Sequence, residues 1–420
     1  MTFRADDLHG LFKQAAICLL VCLIISFFYL PIQTASASDP ILDFSKLAPL
    51  LGDRDAAMVA SPSGAVLFSH NPDNERIPAS TIKLLTALAA FHYLTTDFRF
   101  TTEFFTDNQA NLKIKGEGDP LLISEVVSDI AADLATELKG SGRRLNHLFL
   151  DNTFFAASIS IPGASGSAEP YDAPIGALCV NFNTVNFKME NGTFVSAEPQ
   201  TPLLPMVLPG IKATGLKKGR ITLSHAQDEI TYYSGRLFQY FLKEAGFEFS
   251  GRANIKPVLP DDHSVLAYRS RFTLEQIVAR MLEYSNNFIA NQVFITMGAQ
   301  RDGAPGTLEK GVRAAQDYAK AKLGLDKVVI AEGSGISRAN RITARDMLIV
   351  LDAFAPHHTL MKRNKRLFYK TGHLRGIRTQ VGFYDNLEKG LYPYVIFLNT
   401  PGKSLHPVVR ELVRALENAD

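Results

Sequence analysis

Tryptophan is absent from this 420-residue chain, and cysteine occurs only three times. Cys18 and Cys22 fall in an apolar N-terminal run, and Cys179 stands alone. Without that run the chain keeps one thiol and can close no internal disulfide. It must then hold its shape by burying a core, which a chain of this size can do. Cys179 is expected to be a small buried hydrophobe. Other absences narrow the chemistry. No H-E-x-x-H occurs and the ten histidines are scattered, so no metal site is expected; His357-His358 reads as a helix end. No G-x-S-x-G elbow occurs, and Gly333-Ser334-Gly335 resembles one only in composition. There is no glycine-rich phosphate loop, and no cofactor is expected. Basic runs are missing too: the net charge is +2 and the isoelectric point near 8.3, which exclude a nucleic-acid partner. Asp119, after Gly116-Glu117-Gly118, reads as a turn aspartate bonded to its own backbone rather than a catalytic acid.

The one long apolar stretch, Ala15 to Leu30, is preceded by Lys13 and followed by Ala35-Ser36-Ala37. That is the order of a secretory signal, so residues 1–37 are expected to be a cleaved leader and the mature protein to be exported, to the periplasm or the outer face of the cytoplasmic membrane. An uncleaved anchor is the alternative, but 16 residues are short for a span. Cys22 follows Leu19-Leu20-Val21, and the bulky Val21 argues against a lipidation box.

Beyond the leader, Ala56–Ala60 and Ala65–Ser69 flank the turn residues Ser61-Pro62-Ser63-Gly64, a hairpin pattern. Pro78 then precedes Ser80, and Ile82, Leu85, Leu88 and Ala89 share one face of a buried helix ending near Leu94. From Phe98 to Tyr268 the pattern changes to short strand-like pieces, among them Leu145–Leu150 and Ala177–Phe187, with Gly163–Ser167 as a flexible loop. One helical stretch is expected over Thr273–Met297, others over Gly311–Lys322 and Thr343–Phe354. Strands follow at Leu367–Thr371, Arg378–Tyr384 and Tyr392–Leu398, then a terminal helix. The pattern predicts an α+β fold: a catalytic domain built from both ends of the chain, 38–98 plus 268–420, with 99–267 as a β-rich insertion.

Three motifs stand in a fixed order: Ser80-Thr81-Ile82-Lys83, Ser285-Asn286-Asn287 and Lys370-Thr371-Gly372. The order S-x-x-K, S-x-N, K-T-G is that of serine acyl-transfer enzymes that react with β-lactams. The spacing has a chemical reason. Positions i and i+3 share a helix face, so the Ser80 hydroxyl and the Lys83 amine can meet. Serine is a weak nucleophile without an adjacent base, and lysine becomes that base when burial and a positive neighbour, such as Lys370, lower its pKa. Ser80 in the first helical turn would also place the developing oxyanion at the positive end of the helix dipole. Each motif alone is an ordinary turn or a solvated lysine; their order on the expected elements carries the reading.

The wording around these motifs resembles the D-alanyl-D-alanine carboxypeptidase/endopeptidase family, the class C low-molecular-mass penicillin-binding proteins. The resemblance rests on Arg76–Thr86, Phe98–Thr102, Gly116–Leu121, Tyr171–Pro174 with Asn181 and Asn183, Glu332–Arg338, and Gly382-Phe383. It implies a penicillin-recognising domain, an antiparallel sheet flanked by helices. Its partners would be peptidoglycan stem peptides and β-lactam antibiotics. It implies Ser80 as nucleophile and Lys83 as base, with Ser285 and Asn287 relaying protons and holding substrate. Lys370, Thr371, Gly372 and His373 would bind substrate, the backbone N–H groups of Ser80 and His373 forming the oxyanion hole. Three positions depart from the family: Asn286 and Glu332 each stand where aspartate is usual, and His373 where a hydroxyl helps hold the substrate carboxylate. A serine β-lactamase and a catalytically weak binding protein on the same fold are the competing readings.

Overall fold

The computed structural model describes residues 42–138 and 144–417; the leader reading falls outside them. Six antiparallel strands form the largest sheet, in the order Lys362–Asn364, Leu367–Leu374, Ile377–Asn386, Gly390–Leu398, Ala56–Ala60 and Val66–His70. The two ends of the chain therefore meet in one ladder, with Ala56 opposite Phe397 and Val59 opposite Tyr394. Ala56–Ala60 is buried throughout because both faces of the sheet are covered, and the period-2 alternation of a strand divides it between two cores. Ala57 and Val59 join Tyr394, Ile396 and the Leu405–Glu417 helix, which packs through Val408, Leu412 and Leu416. Ala56 and Met58 point the other way, into the helical core around Leu84, Leu85 and Leu88. The terminal helix and the hairpin at Ser61–Gly64 lie where the pattern predicts them; Ser61 and Ala65 close the turn by a 2.8 Å backbone hydrogen bond.

Residues 101–269 contribute no strand to that sheet. They form a five-stranded mixed sheet, a three-stranded antiparallel sheet and a short parallel pair. The first and last strands of this segment, Thr101–Thr106 and His263–Arg269, pair with each other, so the segment leaves and returns at one place. It is less purely strand than its pattern suggests. Helices Ser124–Glu137 and Gln227–Glu244 build its separate core through Val127, Ile130, Leu134, Leu237 and Phe238. Gly235 masks the second helix in sequence, but a Cβ there would lie 2.6 Å from Leu150 Cδ1; the glycine lets helix and sheet touch. Ala177–Phe187 is not one strand either. Asn181, Phe182 and Asn183 sit at φ 50, 59 and 52, and the strand runs from Thr184 to Glu190. The segment also packs against the rest of the protein, because Leu121, Phe155, Ile175, Cys179 and Ile230 share the core of the helices around Leu84 and Phe294. Burial pushes the Cys179 thiol up to about 12, which suits the inert hydrophobe expected. Among the described residues no helix is long and apolar enough to cross a membrane.

Candidate active site

The nucleophile turn is local chemistry held by distant partners. Pro78 sets up a single 3-10 turn, Ala79–Ile82, before the α-helix Lys83–Leu94. Ala79 sits at φ 49, an uncommon conformation for a residue with a Cβ, and it is fully buried. Two hydrogen bonds to the preceding carbonyl hold it. Thr81 Oγ1 donates to the Pro78 carbonyl at 2.8 Å, and Thr379 Oγ1, from the sheet, donates to the same oxygen at 2.7 Å. On the remaining sides two glycines permit close approach. A Cβ on Gly335 would lie 2.0 Å from the Ala79 carbonyl oxygen, and one on Gly372 would lie 2.8 Å from the Ser80 nitrogen.

Lys83 lies one helical turn on from Ser80, and its side chain is fully buried. Its Nζ donates to Ser80 Oγ at 3.0 Å, Asn287 Oδ1 at 2.8 Å and the Ser334 carbonyl at 2.5 Å. Burial lowers its pKa to about 7, against the opposing pull of Glu332. Lys370, also buried, donates to Ser285 Oγ at 2.7 Å and to the Thr371 carbonyl at 2.7 Å. Its pKa lies well below the ordinary lysine value, because it is buried and faces the charges of Lys83 and Lys362. Two hydroxyls, Ser80 and Ser285, thus each face one desolvated amine, an arrangement able to take a proton from one oxygen and return it to another atom.

Ser285 reaches this position because the single helix expected over Thr273–Met297 is two. Leu274–Glu283 ends, Ser285 turns at φ 53, and Asn287–Asp302 begins. Asn286 explains the break: its Oδ1 accepts from the Ile289 N–H at 3.0 Å and caps the second helix, leaving Ser285 and Asn287 to the site. Asn287 Nδ2 in turn donates to the Tyr171 carbonyl at 3.2 Å.

Glu332 builds the opposite wall. Its fully buried carboxylate accepts from Ser334 N and Oγ, both at 2.6 Å, Gly335 N at 2.7 Å, Ser337 N at 3.2 Å and Asn340 Nδ2 at 2.7 Å. The glutamate folds the loop that delivers the Ser334 carbonyl to Lys83. That carbonyl was outside the reach of sequence reasoning, since a backbone acceptor carries no side-chain signal.

These walls enclose a cleft of about 930 Å³ lined by Ser80, Ser285, Asn287, Thr371 and His373. The Gly163–Ser167 segment is part of its rim rather than a free loop. Ser165 and Ser167 both hydrogen-bond to Asp172, and Gly163 packs against Ser337. Thr371 and His373 are exposed, and the His373 imidazole is held below 6.5 by partial desolvation and by Arg378 opposite it in the sheet. Asp119 lies apart from the cleft lining, accepting from Leu121 N at 2.8 Å.

A sheet packed on a helical layer, with a serine and a buried lysine at their junction, defines an acyl-transfer enzyme of the penicillin-recognising type. The model of the D-Ala-D-Ala carboxypeptidase 3 (S13) family matches residues 45–367, and the chain belongs to that family of serine DD-peptidases. The D-alanyl-D-alanine carboxypeptidase of Actinomadura sp. (strain R39) is 27% identical over 391 residues, covering 77% of this chain and 71% of the relative. The D-alanyl-D-alanine carboxypeptidase DacB of Haemophilus influenzae is 23% identical over 403 residues, covering 80% of this chain and 82% of the relative. The crystal structure of penicillin binding protein 4 (dacB) from H. influenzae superposes with a TM-score of 0.70 at 19% identity, covering 89% of this chain and 98% of that one. The same protein has been solved complexed with a β-lactam, and that structure superposes with a TM-score of 0.68. The family match ends at Leu367, so the Lys370–His373 segment rests on the geometry above.

Proposed function

We propose that this enzyme cleaves D-alanyl bonds of peptidoglycan stem peptides, as carboxypeptidase, endopeptidase or both, through an acyl-enzyme on Ser80. The observation that carries the reading is the contact between Ser80 Oγ and the Lys83 amine, 3.0 Å long and fully desolvated on the lysine side. Neutral Lys83 takes the Ser80 proton as Oγ bonds to the scissile carbonyl carbon. The C–N bond then breaks as the departing amine takes up the proton held by Lys83, relayed through the Ser285 hydroxyl beside Lys370, which leaves Lys83 neutral again. Water attacks the ester, releasing the shortened peptide and restoring Ser80. Asn287 holds Lys83 and the substrate amide, while Thr371, Gly372 and His373 lie on the part of the Leu367–Leu374 strand that Lys362–Asn364 leaves unpaired, along which the substrate lies. The backbone N–H groups of Ser80 and His373 receive the oxyanion. A β-lactam forms the same ester, with no amine free to leave the site.

Slow deacylation is part of this proposal. Among the described residues Asp172 is the one carboxylate lining the cleft, and it is occupied by the Ser165 and Ser167 hydroxyls. No other acid there could activate water as a β-lactamase must. We further propose that 38–98 plus 268–420 act as the catalytic domain around an inserted 99–267, and that the apolar run Ala15–Leu30 with Ala35-Ser36-Ala37 directs export to the periplasm or the outer face of the cytoplasmic membrane. Intact mass spectrometry after incubation with a labelled penicillin tests the core of the reading. One persistent adduct is expected on the wild type and none on Ser80→Ala. An adduct that survives in the variant, or fails to form on the wild type, overturns it. Quick return to the free mass with the drug consumed would identify a β-lactamase.

A further inference from the structure

The cleft continues past His373. Arg338 and Arg375 line it, and they also line a second groove of about 420 Å³ that begins where the Leu367–Leu374 strand ends. Arg54, Arg76 and Arg341 line the same groove. Among the described residues the acids lining it are Asp53 and Glu75, so five guanidinium groups line it with two carboxylates, a formal excess of three positive charges. Among the described residues none of the five is ion-paired to a carboxylate. Their hydrogen bonds go to backbone carbonyls instead. Arg76 donates to Asp53 O at 2.8 Å and to Glu75 O at 3.0 Å, Arg341 to Arg338 O and to Asn340 O at 2.9 Å, and Arg338 to Arg375 O. These bonds fix the groove without neutralising it.

Several arginines elsewhere on the surface do have an acid partner: Arg313 pairs with Asp302, Arg345 with Asp73 and Arg414 with Glu411. Clustered like charges repel, and guanidinium is the side chain best suited to grip carboxylate through paired hydrogen bonds. The position of the groove suggests the source of the carboxylate. On the proposed reading, which this inference assumes, the carboxyl side of the scissile bond lies toward His373. In a terminal D-Ala-D-Ala peptide that side is one residue. In a cross-link it is a whole second peptide bearing further carboxylates, which needs room beyond His373. We propose that the arginine groove binds the carboxylate-bearing peptide strand on the leaving side of a cross-link, making cross-linked stem peptides the favoured substrate.

The test compares the full-length enzyme and its Arg54→Gln, Arg54→Lys and Arg341→Gln variants on a purified cross-linked muropeptide dimer and on a linear peptide ending in D-Ala-D-Ala. Arg54 is exposed, so its replacement should leave the fold unchanged, checked by Tm. Each glutamine variant should raise KM for the dimer by about fivefold, the scale of one exposed charge-assisted contact, with kcat nearly unchanged. Arg54→Lys should stay near wild type. The linear peptide and acylation by labelled penicillin should be unaffected by any of the three. Salt raised from about 50 to about 500 mM should raise the wild-type KM for the dimer more than that of the variants. Equal KM for the dimer in wild type and both glutamine variants, or equal losses on both substrates, overturns the inference while leaving the peptidase reading intact. A wild type that neither cleaves the linear peptide nor takes up penicillin removes the reading beneath it.

Discussion

The protonation state of Lys83 decides whether Ser80 can react, and a one-atom substitution tests it. Lysine with a pKa near 7 is about 10% neutral at pH 6 and about 90% neutral at pH 8, so acylation by a labelled penicillin should rise roughly tenfold across that range and then level off. An unperturbed lysine would place the rise above pH 10. Asn287→Asp keeps the shape of the side chain but puts a carboxylate oxygen 2.8 Å from Lys83 Nζ in place of the amide oxygen. An opposite charge at that range stabilises the ammonium and raises its pKa by about 1 to 3 units. The rising limb should therefore move up by that amount, and the rate at pH 7 should fall by about 5-fold to 500-fold, with recovery at higher pH. Asn287→Ala separates charge from contact, since it removes the hydrogen bond without adding a carboxylate; its rate should drop while the limb stays near 7. Stopped-flow or quenched acylation between pH 5.5 and 9.5 measures all three. A flat wild-type profile, or an Asn287→Asp limb that stays put or moves down, would refute Lys83 as the neutral base.

Three other outcomes follow from contacts above. Gly372→Ala sets a Cβ 2.3 Å from Thr379 Oγ1 and 2.8 Å from Ser80 N, so it should cost about 1–3 kcal/mol in urea unfolding and slow penicillin acylation; unchanged values for both would show the strand is not packed against the nucleophile turn. Asp55 is fully buried and accepts from Lys403 Nζ at 2.6 Å and from the Asn399 and Thr400 backbones at 3.0 Å, joining the two chain ends; Asp55→Asn should destabilise by about 3–5 kcal/mol. Its folded pKa is lowered, so its contribution is complete above the unfolded value of about 3.9 and is lost as pH falls through the lower folded one, which unfolding at pH 7 and pH 3 would reveal. With His373 held below 6.5, its imidazole is largely neutral at pH 7; if the ring helps grip the terminal carboxylate, turnover of a D-Ala-D-Ala peptide should fall as pH rises through that low titration, and His373→Thr should remove this limb. Identical profiles would leave His373 with its backbone N–H alone.

The pattern of this sequence carries much of the architecture, and where it fails the reasons are particular. Ala56–Ala60 is legible as a strand because turn chemistry bounds it, and the active-site helix because Ile82, Leu85 and Leu88 recur at helical spacing. The Gln227–Glu244 helix hides behind Gly235, a residue chosen for contact with Leu150 rather than for helix propensity. The break between Leu274–Glu283 and Asn287–Asp302 falls in the short polar stretch 283–287, brief enough to pass for the solvent face of one continuous helix; the capping role of Asn286 marks it, and asparagine in a helical pattern is ambiguous between cap and interior. Ser80, Lys83, Ser285 and Lys370 could be singled out as side chains, but not the Ser334 carbonyl, the Thr379 strut or the arginine groove. These exist only once distant segments converge: Arg54 and Arg341 are far apart in sequence and share no period.

The energetic setting of the site explains why so much structure is committed to one turn. Moving a lysine pKa from 10.5 to about 7 disfavours its charged form by about 5 kcal/mol, and between those values the unfolded chain holds a proton that the folded one does not. Stability is therefore drained by Lys83 at neutral pH and regained as pH rises toward 10. Ala79 and Ser285 at positive φ add backbone strain in the same few ångströms. No local sequence preference offsets these terms. What offsets them is convergence: Thr379 and Gly372 from the sheet, Gly335 and the Glu332 knot from the loop, and Asn287 from the second helix all press on the same turn. Each comes from a segment some 200 residues or more from Ser80, so the base is neutral only in the fully assembled fold. A partly folded chain would hydrate Lys83, restore its charge and leave Ser80 an ordinary hydroxyl; the same long-range contacts that stabilise the enzyme also switch on its nucleophile.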